Sequence, residues 1–147
     1  MSSQSPAPPP RPRPLGVATA LMCALAGGAV WCLLSLYSRG ELAGFAFAVA
    51  LPVVWTLRAH GYAGRWSGAL LAAACVLLAA LYAFCLQAVA QVASLLGLPM
   101  RAALGRIDAD MAFAIARANL SGGNAWVVAA AVALAAWLVL RGGAARD

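Results

Sequence analysis

Residues 15–37 read LGVATALMCALAGGAVWCLLSLY, twenty-three consecutive positions without one charged side chain. At about 1.5 Å per residue a helix of that length reaches about 34 Å, enough to cross a hydrocarbon core of about 30 Å with some tilt. Further apolar runs follow at 42–57, 66–98 and 125–140. Across the 147 residues, 65% are apolar and 10% charged, and the mean hydropathy is +0.88. Soluble domains carry about a quarter charged residues and expose them to water. The sequence therefore predicts an all-α integral membrane bundle of four transmembrane helices, at about 15–37, 42–57, 66–97 and 125–140.

The segments between these runs carry turn and tail signals. Residues 1–14 hold six of the eight prolines and two arginines, which predicts a disordered, polyproline-like tail ahead of a membrane domain at 15–147. The apolar run that follows is too long for a cleavable signal peptide. Ser38-Arg39-Gly40-Glu41 supplies a turn. Pro52 removes one ladder bond from the second helix and frees the Ala48 carbonyl, so a kink is expected there. The third run is longer than a bilayer requires, so it must tilt, break or project. Gly97 and Pro99 end it.

Residues 99–120 change pattern. Leu104, Ile107, Met111, Ile115 and Ala118 fall on one helical face, with Arg106, Asp110 and Arg117 opposite. Such a pattern predicts one amphipathic helix lying along the membrane interface, with Arg101 and Asp108 placed to pair. Ser121-Gly122-Gly123 ends it, and Asn124 is expected to cap the last crossing helix, which Trp126 and Trp137 bracket at headgroup level.

The net charge of +6 comes from ten arginines and no lysine against four carboxylates. The arginines stand singly at the ends of apolar runs, with no aromatic interleaving, which argues against a nucleic-acid surface. With four crossings both termini share a side. That side holds Arg11, Arg13, Arg58, Arg65, Arg141 and Arg146, and the other holds Arg39, Arg101, Arg106 and Arg117. The positive-inside rule then places both termini in the cytoplasm of a bacterial inner membrane.

Lipid tails are as apolar as leucine, so helix association depends on close packing and interhelical hydrogen bonds. Ala20, Ala24, Gly28 and Cys32 recur every four residues on the first helix, and Gly68, Ala72, Val76 and Ala80 on the third. These are the expected packing stripes. Gln87, Gln91 and Ser94 form one polar stripe farther along the third helix, suited to interhelical contact or to a polar path.

The residues needed for most catalytic and metal chemistry are missing from the sequence. Cys23, Cys32, Cys75 and Cys85 include no C-x-x-C pair, and nine residues of helix turn Cys23 and Cys32 to opposite faces. Packing is the simpler use of these thiols. His60 is the single histidine and Glu41 the single glutamate, too few for paired haem ligands, a zinc site or a Ser/His/carboxylate set. None of the four runs carries an ionisable group at its centre for proton-coupled transport. The sequence predicts no catalytic, cofactor-binding or metal-binding residue, and no cofactor.

Gly28, Trp31, Tyr37, Gly40-Glu41, Ala43-Gly44 and the basic turn ending in His60-Gly61-Tyr62 form a recognisable series within residues 27–61. The series resembles small bacterial multi-pass inner-membrane proteins without an assigned activity, in which a Trp-containing helix, a glycine-acidic turn and a Gly/Ala-rich helix follow one another. This chain departs from that pattern in having Pro52 where a glycine is usual. The resemblance implies a membrane hairpin and no activity.

The functional expectation is a non-enzymatic accessory or interaction subunit of a membrane complex, with lipid and other membrane proteins or further copies of itself as partners. A small transporter or channel component and a membrane thiol redox protein are the alternatives, carried by the glutamines and the cysteines respectively.

Overall fold

The computed structural model describes residues 13–38, 44–97, 99, 110, 111, 114, 117 and 123–144. Four helices account for nearly all of them: α1 (Pro14–Ser38), α2 (Phe45–Ala59), α3 (Trp66–Leu96) and α4 (Gly123–Ala144). No strand occurs among the described residues. The expected amphipathic helix at 99–120 lies largely outside them; of the tail expected at 1–14, residues 1–12 lie outside them too, and Pro14 already begins α1. Asp110, Met111, Ala114 and Arg117 have helical backbone and are exposed.

Three helices are long and apolar enough to cross a membrane: α1, α3 and the 18 residues Ala125–Gly142 of α4. The apolar α2 has 15 residues, about 22 Å of helix, which is short of a typical hydrocarbon core. It begins at Phe45 with Gly44 as its N-cap and runs unbroken through Pro52, which is exposed. The 31 residues of α3 form one continuous helix, about 46 Å long. Gly97 closes it with φ of 61°, its N–H donating to the Ala93 carbonyl. A left-handed glycine is the usual way to satisfy the last carbonyls of a helix. One expectation is corrected at α4. The helix already starts at Gly123, so Asn124 lies inside it instead of capping it.

Successive helices run in opposite directions. His60 packs against Gly16, and the Tyr62 hydroxyl donates to the Arg13 carbonyl at 3.4 Å. The Gly64 N–H donates to the Val139 carbonyl at 2.9 Å. The start of α1, the end of α2, the start of α3 and the end of α4 therefore meet at one end of the bundle. Helices α2 and α3 pack on each other and on both remaining helices, leaving α1 and α4 on opposite flanks.

The core is built mainly of Ala and Val, with Trp31 its largest fully buried side chain. Small side chains bring helix backbones close, which multiplies dispersion contacts where no hydrophobic driving force operates between helices in lipid. Trp31 fills the remaining space between three helices. Its ring lies 6.5 Å from Phe45 on α2 and 5.5 Å from Phe84 on α3, the latter edge-to-face at 60°.

Candidate functional site

The end of the bundle where α1 and α3 begin and α2 and α4 finish collects most of the described charge. Arg13, Arg58, Arg65 and Arg141 are all exposed there, and no carboxylate faces them among the described residues. The 60–65 turn holds this end together. Gly61 and Gly64 take φ values of 86° and 71°, a region that costs other residues strain. Those two positions let the turn reverse direction between α2 and α3. From it the Tyr62 hydroxyl reaches Arg13, the residue before α1, and the Gly64 N–H reaches α4. His60 Nδ1 lies 2.7 Å from the Thr56 carbonyl, so an Nδ1–H donates to that carbonyl within the last turn of α2.

Two of the arginines are seated on protein groups. The Arg141 guanidinium carbon stands 4.3 Å from the centre of the Trp137 ring, a cation–π arrangement within one helix face. Arg58 crosses from α2 to the end of α4. A Cβ added to Gly142 would come within 2.5 Å of Arg58 Nε and 2.8 Å of Cζ. Only a glycine accommodates the guanidinium there without moving it.

The small-residue positions occupy the helix interfaces. Ala20, Ala24, Gly28 and Cys32 on α1 are buried, as are Gly68, Ala72, Val76 and Ala80 on α3. They do not simply face each other. Gly28 approaches Ala79 and Tyr82 of α3, whereas Gly68 approaches Tyr62 in the turn and Val139 of α4. On the distal part of α3, Gln91 and Ser94 are exposed and Gln87 is half-buried. The Ser94 hydroxyl donates to the Gln91 carbonyl at 2.7 Å, which satisfies it within its own helix.

All four cysteines are free thiols. Cys75 is buried in the main core, Cys23 and Cys85 pack against it half-buried, and Cys32 is buried on α1 outside that cluster. Cys23 and Cys32 are thus both at least partly covered, although nine residues of helix turn them to opposite faces of α1. Flanking by α2 and α3 on different sides buries a wider arc of α1 than one neighbour would. Among the described residues no group of three His, Cys, Asp or Glu side chains could hold a metal ion.

In the sequence Arg58 and Arg141 read as topology charges, and no local signal marks Gly142. A signal for the first two was present: Leu51, Trp55 and Arg58 on α2, and Leu134, Trp137 and Arg141 on α4, repeat one Leu-Trp-Arg order at helical spacing. Comparison with family models, with curated proteins and with solved structures finds no match. What the fold defines is a class: an all-helical bundle containing three helices fit in length and composition to span a membrane.

Proposed function

We propose that this chain is a multi-pass protein of a bacterial inner membrane, with four crossings and both termini cytoplasmic, serving as a non-enzymatic accessory subunit of a membrane complex. One observation carries the reading. Large apolar side chains point outward along the helices, among them Met22 (69% exposed), Leu33 (67%), Leu51 (61%) and Leu70 (69%). A bundle in water would expose no such belt, whereas lipid or a partner's apolar helices would cover it. The shorter α2 crosses by drawing on its flanking residues and on local thinning of the bilayer, at modest cost per ångström of mismatch. The arginine-rich end then faces the cytoplasm.

The interior supports an interaction role over catalysis, because the positions nearest the bundle axis hold Ala, Val, Gly and aromatic groups that pack. Partner contacts fall on the outward faces of α1 and α4, the flanking helices. Photo-crosslinking amino acids at Met22 and Leu33 on α1 and at the exposed Ala130 on α4, introduced singly in cells, test this. One discrete protein adduct confined to one face is expected. Adducts to lipid alone from every position would remove the accessory-subunit reading.

A transport reading draws on Gln87, Gln91 and Ser94, which would line a path between copies of the chain. The exposure of Gln91 and Ser94 favours it, and the internal hydrogen bond of Ser94 weighs against it.

A further inference from the structure

We propose that Arg58 and Arg141, seated on Gly142 and Trp137 where α2 and α4 finish side by side, form a headgroup site for an anionic phospholipid. The inference rests on the membrane reading above and goes beyond it. Three observations converge on it.

First, each of the two helices presents the same exposed series in the same direction. On α2 it is Leu51, Trp55 and Arg58, with Leu51 61% and Trp55 74% exposed. On α4 it is Leu134, Trp137 and Arg141, with Leu134 37% and Trp137 47% exposed. Spacings of i, i+3 or i+4, and i+7 keep each series on one helix face. Seven residues of helix cover about 10 Å. In depth the order is apolar, then interfacial aromatic, then cationic, which is the order of acyl chain, glycerol region and phosphate in a phospholipid leaflet.

Second, each of the two cations lies against a protein group. Arg141 lies over the Trp137 ring and Arg58 lies on the Gly142 backbone. Both belong to the last turns of their helices, where the helix dipoles favour positive charge. A guanidinium resting against a protein surface keeps its remaining N–H groups available to a phosphate.

Third, the described residues at this end are of one charge sign. Arg13, Arg58, Arg65 and Arg141 share this end with no carboxylate among the described residues. Basic pockets between helices on the cytoplasmic side of a membrane protein suit anionic headgroups. A zwitterionic lipid brings its own ammonium group to the same place and loses the advantage.

The test is native mass spectrometry of the full chain in a neutral detergent, titrated with dioleoylphosphatidylglycerol or dioleoylphosphatidylcholine. Tighter binding of the phosphatidylglycerol is expected, with R58Q and R141Q each lowering that affinity by about fivefold and leaving the phosphatidylcholine affinity unchanged. G142A keeps the net charge but displaces the Arg58 head, and it should lower the phosphatidylglycerol affinity by less than R58Q does. R65Q removes an equal charge from the same end without touching the seat, and its effect should stay under about twofold. Equal binding of the two lipids by the unaltered protein would overturn the proposal, as would R65Q matching R58Q, the result of diffuse surface charge. Displacement of the lipid by millimolar inorganic phosphate would also overturn it, by making free phosphate the ligand. Protein left in the soluble fraction after vesicle flotation would sink the membrane reading itself, whereas flotation with no lipid preference would sink this inference alone.

Discussion

Gly28 of α1 lies against the main chain of Ala79 on α3, so that a Cβ added to it would sit 2.8 Å from the Ala79 carbonyl oxygen and 3.1 Å from Tyr82 Cδ1. The nearer obstacle is backbone, which cannot swing away as a side chain can. The approach of these two helices therefore depends on the glycine hydrogen.

Gly28→Ala should destabilise the bundle by about 1–3 kcal/mol, the usual cost of forcing a methyl group into a packed interior. Gly44→Ala is the matched control. Gly44 has φ of −60° and open space around its Cβ position, so alanine there should be neutral or stabilise by up to about 1 kcal/mol through the unfolded chain. Thermal unfolding of the two variants in one detergent measures the difference.

Trp31 and Phe84 make the principal aromatic contact between α1 and α3, edge-to-face at 5.5 Å. Trp31→Ala should cost about 3–5 kcal/mol, as for large aromatic side chains removed from a core. Combining it with Phe84→Ala in a double-mutant cycle should return a coupling energy of about 0.5–1.5 kcal/mol beyond the loss of buried area. A coupling near zero would mean that the two rings act only as filler.

Gln87→Leu together with Gln91→Leu separates the accessory-subunit reading from the transport reading. Gln91 is exposed and Gln87 half-buried, so an interaction subunit should keep its stability and its crosslinked partner with both amides gone. A polar path between copies would be blocked, and any ion or solute flux through reconstituted vesicles would fall to background.

Much of the helical architecture could be read directly from the sequence, because a charge-free run and its punctuation are local properties. Pro14 and Ser38 bound α1 within one residue of the apolar run at 15–37, and Gly97 stops α3 through its own backbone conformation. Local reasoning failed where a helix has no chemical boundary. Gly123 and Asn124 look like a turn and a cap, yet α4 absorbs both, and it continues past Arg141 through a pair of glycines to Ala144. The stripe residues were recognisable from their period of four, but their neighbours were not. Gly28 meets α3 while Gly68 meets the 60–65 turn and α4, an assignment that follows from the order of helices around the bundle. The Arg58 seat on Gly142 joins residues from α2 and α4 that no spacing rule connects.

The central claim is that these helices thread a bilayer with both chain ends on one face. Sided labelling tests it most directly, using a background in which Cys23, Cys32, Cys75 and Cys85 are changed to Ala and single cysteines replace Ser2, Ser38 or Ala145. In right-side-out vesicles a membrane-impermeant maleimide should label position 38 and spare positions 2 and 145, and in inverted vesicles the pattern should reverse. Positions 2 and 145 reacting from different faces, or a protein released wholly by alkaline carbonate, would contradict the account.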